Sequence, residues 1–287
     1  MHHKLTIIGC GVFGRSIVDG LLSSESSPEY RLALTHRRFE ALKALQIDYP
    51  DAVVSRDNGD PLIWDHTDGA AIRHVVLIAT QPRFTSNVCK DICNAVKSAR
   101  SAQELVVVTV CPGITLAQLK SWLPCETTII RAMPNTPISI SQGATALFAS
   151  ESAPCEVVSE VRAIFRRISP VVAMLPREEL MDVAAAVSGS GPAYVYYLLQ
   201  ALVATGSSLG LPSELAHQLV VQSCMGAVML VKEAAETPLS DLLAHVCVAG
   251  GSTEKAMSTL NRCDLRTILQ TAVEESWHAN QAMGKDV

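Results

Sequence analysis

A chain of 287 residues suits one large domain or two smaller ones, and 48% hydrophobic against 18% charged content builds a sizeable core easily. Only 5% of the residues are aromatic, so the apolar content is mainly aliphatic and alanine, as in helix-rich α/β proteins. A net charge of −5 with no long basic run argues against nucleic acid as the main partner.

Residues 4–9 read as a short buried strand and 11–22 as a helix, with 31–35 a second strand and 38–45 a second helix. Residues 52–55 form a short third strand. The β-branched run 74–79 suits a central parallel strand, followed by a helix over 84–99. Strands at 104–110, 127–131, 144–149 and 171–174 alternate with helices at 115–122 and 155–166. This alternation predicts an α/β fold: a Rossmann-type, doubly wound, mostly parallel sheet over residues 1–175. After Pro176 the pattern becomes helical, at 177–187, 193–209, 212–236, 239–245, 254–260 and 265–283. Residues 176–287 are therefore expected as an all-α domain, with the boundary near 170–177. Its long apolar helices have too few polar positions for an isolated bundle, which predicts burial of one face in a homodimer.

The longest nearly apolar stretch, 193–205, falls short of a membrane span and contains Gln200, so no membrane partner is expected. The start, Met1-His2-His3-Lys4, is too short and polar for a signal peptide. Nine cysteines show no disulfide framework, and no His or Cys pair nearby in sequence completes a metal site with Cys89 and Cys93. Reduced thiols, a cytoplasmic location and no metal follow as expectations.

Two glycine-rich turns stand out. Gly9-Cys10-Gly11-Val12-Phe13-Gly14 follows a buried strand and opens a helix, the context in which backbone approaches a dinucleotide pyrophosphate. At the end of the second strand, Thr35-His36-Arg37-Arg38 offers a hydroxyl, an imidazole and two guanidiniums, with no acid until Glu40. That set suits a 2′-phosphate and predicts NADPH as cofactor, NADH being the lesser option. Segments 78–82 and 110–115 lie at strand ends on the ligand edge of the sheet, where Pro and Gly are equally ordinary turn formers. The second turn, Val248-Ala249-Gly250-Gly251-Ser252-Thr253, precedes a helix and offers amides and a helix dipole to a small anion. His245 lies just ahead of it and is a candidate cofactor or substrate contact.

These pieces, in this order, resemble the pyrroline-5-carboxylate reductases over essentially the whole chain. The most specific segments are Arg131-Ala132-Met133-Pro134-Asn135-Thr136-Pro137, Gln142-Gly143-Ala144-Thr145-Ala146-Leu147, Ser188-Gly189-Ser190-Gly191-Pro192-Ala193-Tyr194, Leu209-Gly210-Leu211-Pro212, and the stretch from Pro238 through Gly250-Gly251-Ser252-Thr253. The resemblance implies NAD(P)H-dependent reduction of the cyclic imine 1-pyrroline-5-carboxylate to L-proline, the last step of proline biosynthesis. It also implies interleaved helical domains in a homodimer or larger homo-oligomer, with the active site between one subunit's nucleotide domain and its partner's helices. Carried over, Ile8 to Phe13 match the phosphate loop, Thr35 to Arg37 the adenosine-phosphate end, and Asn58 a ribose contact. Ala79, Thr80, Gln81 and Pro82, with Val110, Cys111 and Pro112, match the cofactor edge. Ser252 and Thr253 match the substrate-carboxylate turn, Thr253 also the hydroxyl at the ring nitrogen, and Glu178 an acidic residue near the domain junction.

The chain departs from the family pattern where Val248-Ala249 stands for Ser-Pro, where His245 stands for Asn, and where Gln81 stands for a frequent Lys. These departures leave a second reading, a reductase of a different cyclic imine in specialised metabolism; an NADPH-binding sensor without turnover is a third.

Overall fold

The computed structural model of the chain describes residues 3–23, 30–65, 72–99 and 103–285. Eight strands form one sheet: β1 (His3–Ile8), β2 (Tyr30–Thr35), β3 (Val53–Ser55), β4 (Ile72–Ile78), β5 (Gln103–Thr109), β6 (Thr128–Pro134), β7 (Ala144–Ala149) and β8 (Val171–Met174). Their order is β3-β2-β1-β4-β5-β6-β7-β8. Strands β1 to β6 pair in parallel, β7 runs antiparallel to β6, and β8 is parallel to β7. All eight expected strands are present. The sixth runs three residues past its expected end, because β7 pairs Thr145 with Pro134 after the pairing with β5 has ended at Thr109 and Arg131.

The central strands are buried on both faces, which is why they read as unbroken β-branched runs. Successive side chains alternate between two cores. Val75, Leu77, Val106 and Val108 join one core with Ile17, Val161 and Phe165. Val76, Ile78 and Val107 join the other with Ile63, Cys89, Ile92 and Leu119. The covering helices are α1 (Val12–Leu22), α2 (Phe39–Asp48), α3 (Pro61–Trp64), α4 (Thr85–Ser98), α5 (Leu116–Trp122) and α6 (Cys155–Arg166). Helix α3 was not expected. Its signal is Asp60-Pro61: the aspartate side chain accepts from Leu62 N, and the proline takes the first helical position.

After β8 the described chain is helical. Helix α7 (Leu180–Ala184) runs into a π-helical turn over Ala185–Gly189, with Ser190 N donating to Ala185 O. Then come α8 (Gly191–Ser208), α9 (Ser213–Glu233), α10 (Leu239–Val246), α11 (Ser252–Arg262) and α12 (Leu265–Met283). Strand content ends at Met174, as expected, but the compact units divide elsewhere. One comprises Met1–Ser190 with Ser276–Val287, the other Gly191–Glu275. The chain crosses from the first unit to the second at 190/191 and returns at 275/276. Residues of β6 hold the intervening segment: Arg131 binds Glu178, and Met133 packs where a Cβ on Gly189 would stand, 2.8 Å from its Cε.

In the second unit α8 and α9 pack together, yet Ala216 is its sole fully buried hydrophobic among the described residues. Tyr197, Leu202, Leu219, Val228 and Ile268 are all exposed. Helix α9 is long and apolar enough to cross a membrane by length and composition.

Candidate functional site

The glycine turn after β1 works as a close-approach device. Gly9 has φ +85, and a Cβ there would stand 2.5 Å from Thr80 Cγ2 and 3.1 Å from Thr80 N. Cys10 N donates to Thr35 O and Gly11 N to Gly9 O. The amides of Val12, Phe13 and Gly14 open α1 and have no helical carbonyl behind them. Helix α1 has no side-chain cap and no acid in its first turn, so its N-terminus keeps its positive end for an anion. Burial holds the Cys10 thiol up at about 12, and that of Cys111 above its ordinary value, so neither puts a negative charge beside this seat.

Two adjoining clefts run along the C-terminal edge of the sheet. The larger, about 440 Å³, brings together Ile8, Gly9, Gly11, Thr35, His36, Arg37, Arg38 and Asn58 with Ala79, Thr80 and Gln81. The smaller, about 330 Å³, shares Ala79, Thr80 and Gln81 and adds Phe13, Pro82, Val110, Pro112, Met133 to Thr136 and Gly189. The Cys111 thiol donates to Thr80 O at 3.0 Å and so ties the ends of β4 and β5 together beneath the clefts. Asn135 fixes the far wall, its Oδ1 accepting from Ala144 N and its Nδ2 donating to Ser188 O.

Two expected ligands have other work. Thr35 is buried, and its hydroxyl accepts from Gly9 N and donates to Asn58 Oδ1 at 2.8 Å. It braces the phosphate loop and has no free donor for a 2′-phosphate. Asn58 lines the cleft, but its Nδ2 donates to Asp91 at 2.9 Å. The basic set is instead His36, Arg37 and Arg38 with Arg83, which sequence reasoning missed. None of the ion pairs among the described residues engages these arginines. His36 Nδ1 accepts from Arg38 N; burial, with Arg38 and Arg37 adding to it against that hydrogen bond, lowers its pKa. A glycine cradle, an uncapped helix start and guanidiniums without an ion pair among the described residues fit a phosphorylated dinucleotide.

The second turn belongs to the other unit. Gly250 has φ +77, and Ser252 opens α11. Gly250 N donates to Glu254 Oε2 at 2.7 Å, and Gly251 N to Val248 O at 2.9 Å. Two of the four expected amides are therefore already engaged. The amides of Ser252 and Thr253, in the first helical turn, remain beside their hydroxyls. Val248 is 67% exposed, and His245 lies exposed in the last turn of α10.

A family model for pyrroline-5-carboxylate reductase dimerisation matches residues 178–283. The Delta-1-pyrroline-5-carboxylate reductase apf3 of Gibberella fujikuroi is 45% identical over 285 residues, covering 98% of this chain and 96% of that protein. The chain belongs to the pyrroline-5-carboxylate reductase family. The pyrroline-5-carboxylate reductase structure from Coxiella burnetii superposes with a TM-score of 0.83 at 28% identity, over 99% of this chain and 100% of that one. The Plasmodium falciparum pyrroline carboxylate reductase, solved with NADP bound, shares the fold at TM-score 0.82 and 23% identity, over 99% and 98%.

Within this family member, Glu178 is held by its own chain. Its Oε1 accepts from Leu116 N at 2.6 Å, at the start of α5, and from Arg131 Nη1 at 2.8 Å. Arg131 is only 4% exposed, and Asp182 stands 3.7 Å from its Nη2. Burial raises the Asp182 pKa, Arg131 opposing and Glu178 reinforcing the shift. The Arg131 to Pro137 motif is thus partly a structural lock. Helix α5 has a full capping box between Thr115 and Gln118, and Gln118 Nε2 also donates to Gly284 O at 2.6 Å.

Proposed function

We propose that this protein is an NADPH-dependent pyrroline-5-carboxylate reductase that forms L-proline and works as a homodimer in the cytoplasm. The observation that carries the reading is 45% identity to a pyrroline-5-carboxylate reductase across 98% of the chain. The clefts agree with it. When bound, NADPH supplies the hydride for reduction of a C=N bond. The amides of Val12 to Gly14 would seat the pyrophosphate, and Arg37 and Arg38 would hold the adenosine phosphate. The walls formed by Pro112, Met133 and Asn135 exclude water from the reacting end.

Substrate recognition falls to the turn before α11. The amides of Ser252 and Thr253 hold the carboxylate, and the Thr253 hydroxyl hydrogen-bonds the ring nitrogen, relaying a proton from water. A protonated imine is already electrophilic, so no strong acid or base is needed. The dimer reading is supported by the exposed apolar faces of α8, α9 and α12, which a second copy would bury, and by the matched dimerisation model. The nine cysteines are all free, which agrees with a reducing compartment.

A second reading, reduction of a different cyclic imine, is favoured by one observation: the Glu254 carboxylate already occupies an amide of the turn, next to apolar Val248. NADPH oxidation measured with pyrroline-5-carboxylate beside a panel of larger and uncharged cyclic imines separates the two. A higher kcat/KM on pyrroline-5-carboxylate supports the first reading. A poor rate there with a good rate on another ring overturns it.

A further inference from the structure

The adenosine end of the larger cleft holds an arrangement that the glycine and strand-end motifs did not announce. After β4 the chain makes a short 3₁₀ turn, Pro82–Phe84, and the Phe84 ring meets two guanidiniums. The Arg37 guanidinium carbon stands 4.1 Å from the ring centroid and that of Arg83 4.9 Å. Arg37, Arg38, Arg83 and Phe84 all line the same cleft. The main chain of Arg37 is held as well, its carbonyl accepting from Arg56 Nε at 3.2 Å.

Like charges gathered around one ring repel unless something compensates them. The negative ring face does so in part, and a ring with two guanidiniums over it fixes their direction. The nearby carboxylates do not pair with these arginines: Asp91 accepts from Asn58 Nδ2 at 2.9 Å, and Asp57 from Gly59 N at 2.8 Å. Two oriented guanidiniums without a counter-ion among the described residues form a fork for a dianion.

We propose that Arg83 is a second ligand of the cofactor's 2′-phosphate beside Arg37, and that Phe84 is the positioning residue that aims both. This rests on the NADPH reading above. The ring holds the two guanidiniums before the nucleotide arrives, so less side-chain freedom is lost on binding. NADH, lacking the 2′-phosphate, gains nothing from the fork.

The test is calorimetric titration of the full-length protein and of Arg83→Gln and Phe84→Leu with four ligands: NADPH, NADH, adenosine 2′,5′-bisphosphate and adenosine 5′-monophosphate. The wild type is expected to bind NADPH more tightly than NADH. Each variant weakens NADPH and adenosine 2′,5′-bisphosphate by about 5- to 20-fold and leaves NADH and adenosine 5′-monophosphate within about twofold. An equal loss for phosphorylated and unphosphorylated ligands makes Phe84 a general lining residue and overturns the proposal. So does unchanged NADPH affinity in both variants. A wild type that binds neither nucleotide overturns the cofactor reading itself, whereas a wild type that prefers NADPH beside variants that keep the preference overturns the fork alone.

Discussion

Removing the Glu178 carboxylate decides whether that residue serves the fold or the substrate. In Glu178→Ala two bonds disappear together: the acceptor for Leu116 N at the start of α5 and the ion pair to Arg131 Nη1. Arg131 is almost completely buried, and stripping a partner from a buried charge costs about 3–5 kcal/mol. Two features reduce that figure. Glu178 itself is about one quarter exposed, so water replaces part of the interaction, and Asp182 remains 3.7 Å away. A loss of about 2–3 kcal/mol follows. For a unit of this size each kcal/mol lowers the melting temperature by roughly 2–4 °C, so the variant should melt roughly 5–10 °C lower. Thermal unfolding at fixed protein concentration reads this directly. KM for pyrroline-5-carboxylate, measured below the transition, should stay within about twofold. An unchanged melting temperature with a tenfold higher KM would refute the reasoning and return Glu178 to the substrate.

Two other substitutions test the neighbouring arguments. Glu254→Ala frees Gly250 N and removes a carboxylate from the turn before α11. Relief of about 1 kcal/mol of like-charge repulsion should lower KM for pyrroline-5-carboxylate roughly fivefold, with kcat unchanged, and a higher KM would mean that Glu254 only supports the turn. Lys4 Nζ donates to Leu62 O, and burial, then Arg31, with Asp65 opposing, lower its pKa from 10.5 to about 8. Between pH 8 and 10.5 the unfolded chain holds more protons than the folded one, so stability rises with pH there. Lys4→Met should therefore stabilise the protein at pH 7 by roughly 1–3 kcal/mol, a gain that fades toward pH 10.5. Urea unfolding at pH 7 and 10 checks it; no gain at pH 7 would contradict the argument.

The sheet was legible because its strands are buried on both faces. Runs such as Val75 to Ile78 and Leu105 to Val108 have no polar interruption for a helix to explain. Short α3 escaped because four residues carry no period, although Asp60-Pro61 marks its start. The phosphate loop was legible from three glycines in the right context. What those glycines could not convey was which polar groups the fold uses internally. Thr35 looked like a phosphate ligand and proved to be a buried brace between Gly9 and Asn58. Gly250 and Gly251 looked like free amides, but a carboxylate four residues on and a carbonyl three residues back claim them. Arg83 and Phe84 went unseen because the ring that Arg83 shares is met by Arg37, 47 positions before Phe84. Local spacing finds where backbone can meet an anion, and only the assembled edge of the sheet tells which side chains are left to meet it.

The central claim is hydride transfer from NADPH to the imine carbon of pyrroline-5-carboxylate. Incubating the enzyme with NADPH deuterated at nicotinamide C4 and analysing the product by mass spectrometry and proton NMR tests it most directly. The expected product is L-proline carrying one deuterium at C5, formed in step with NADPH consumption. Unlabelled substrate recovered intact, with the label appearing only in the reduced product of another cyclic imine, would contradict it.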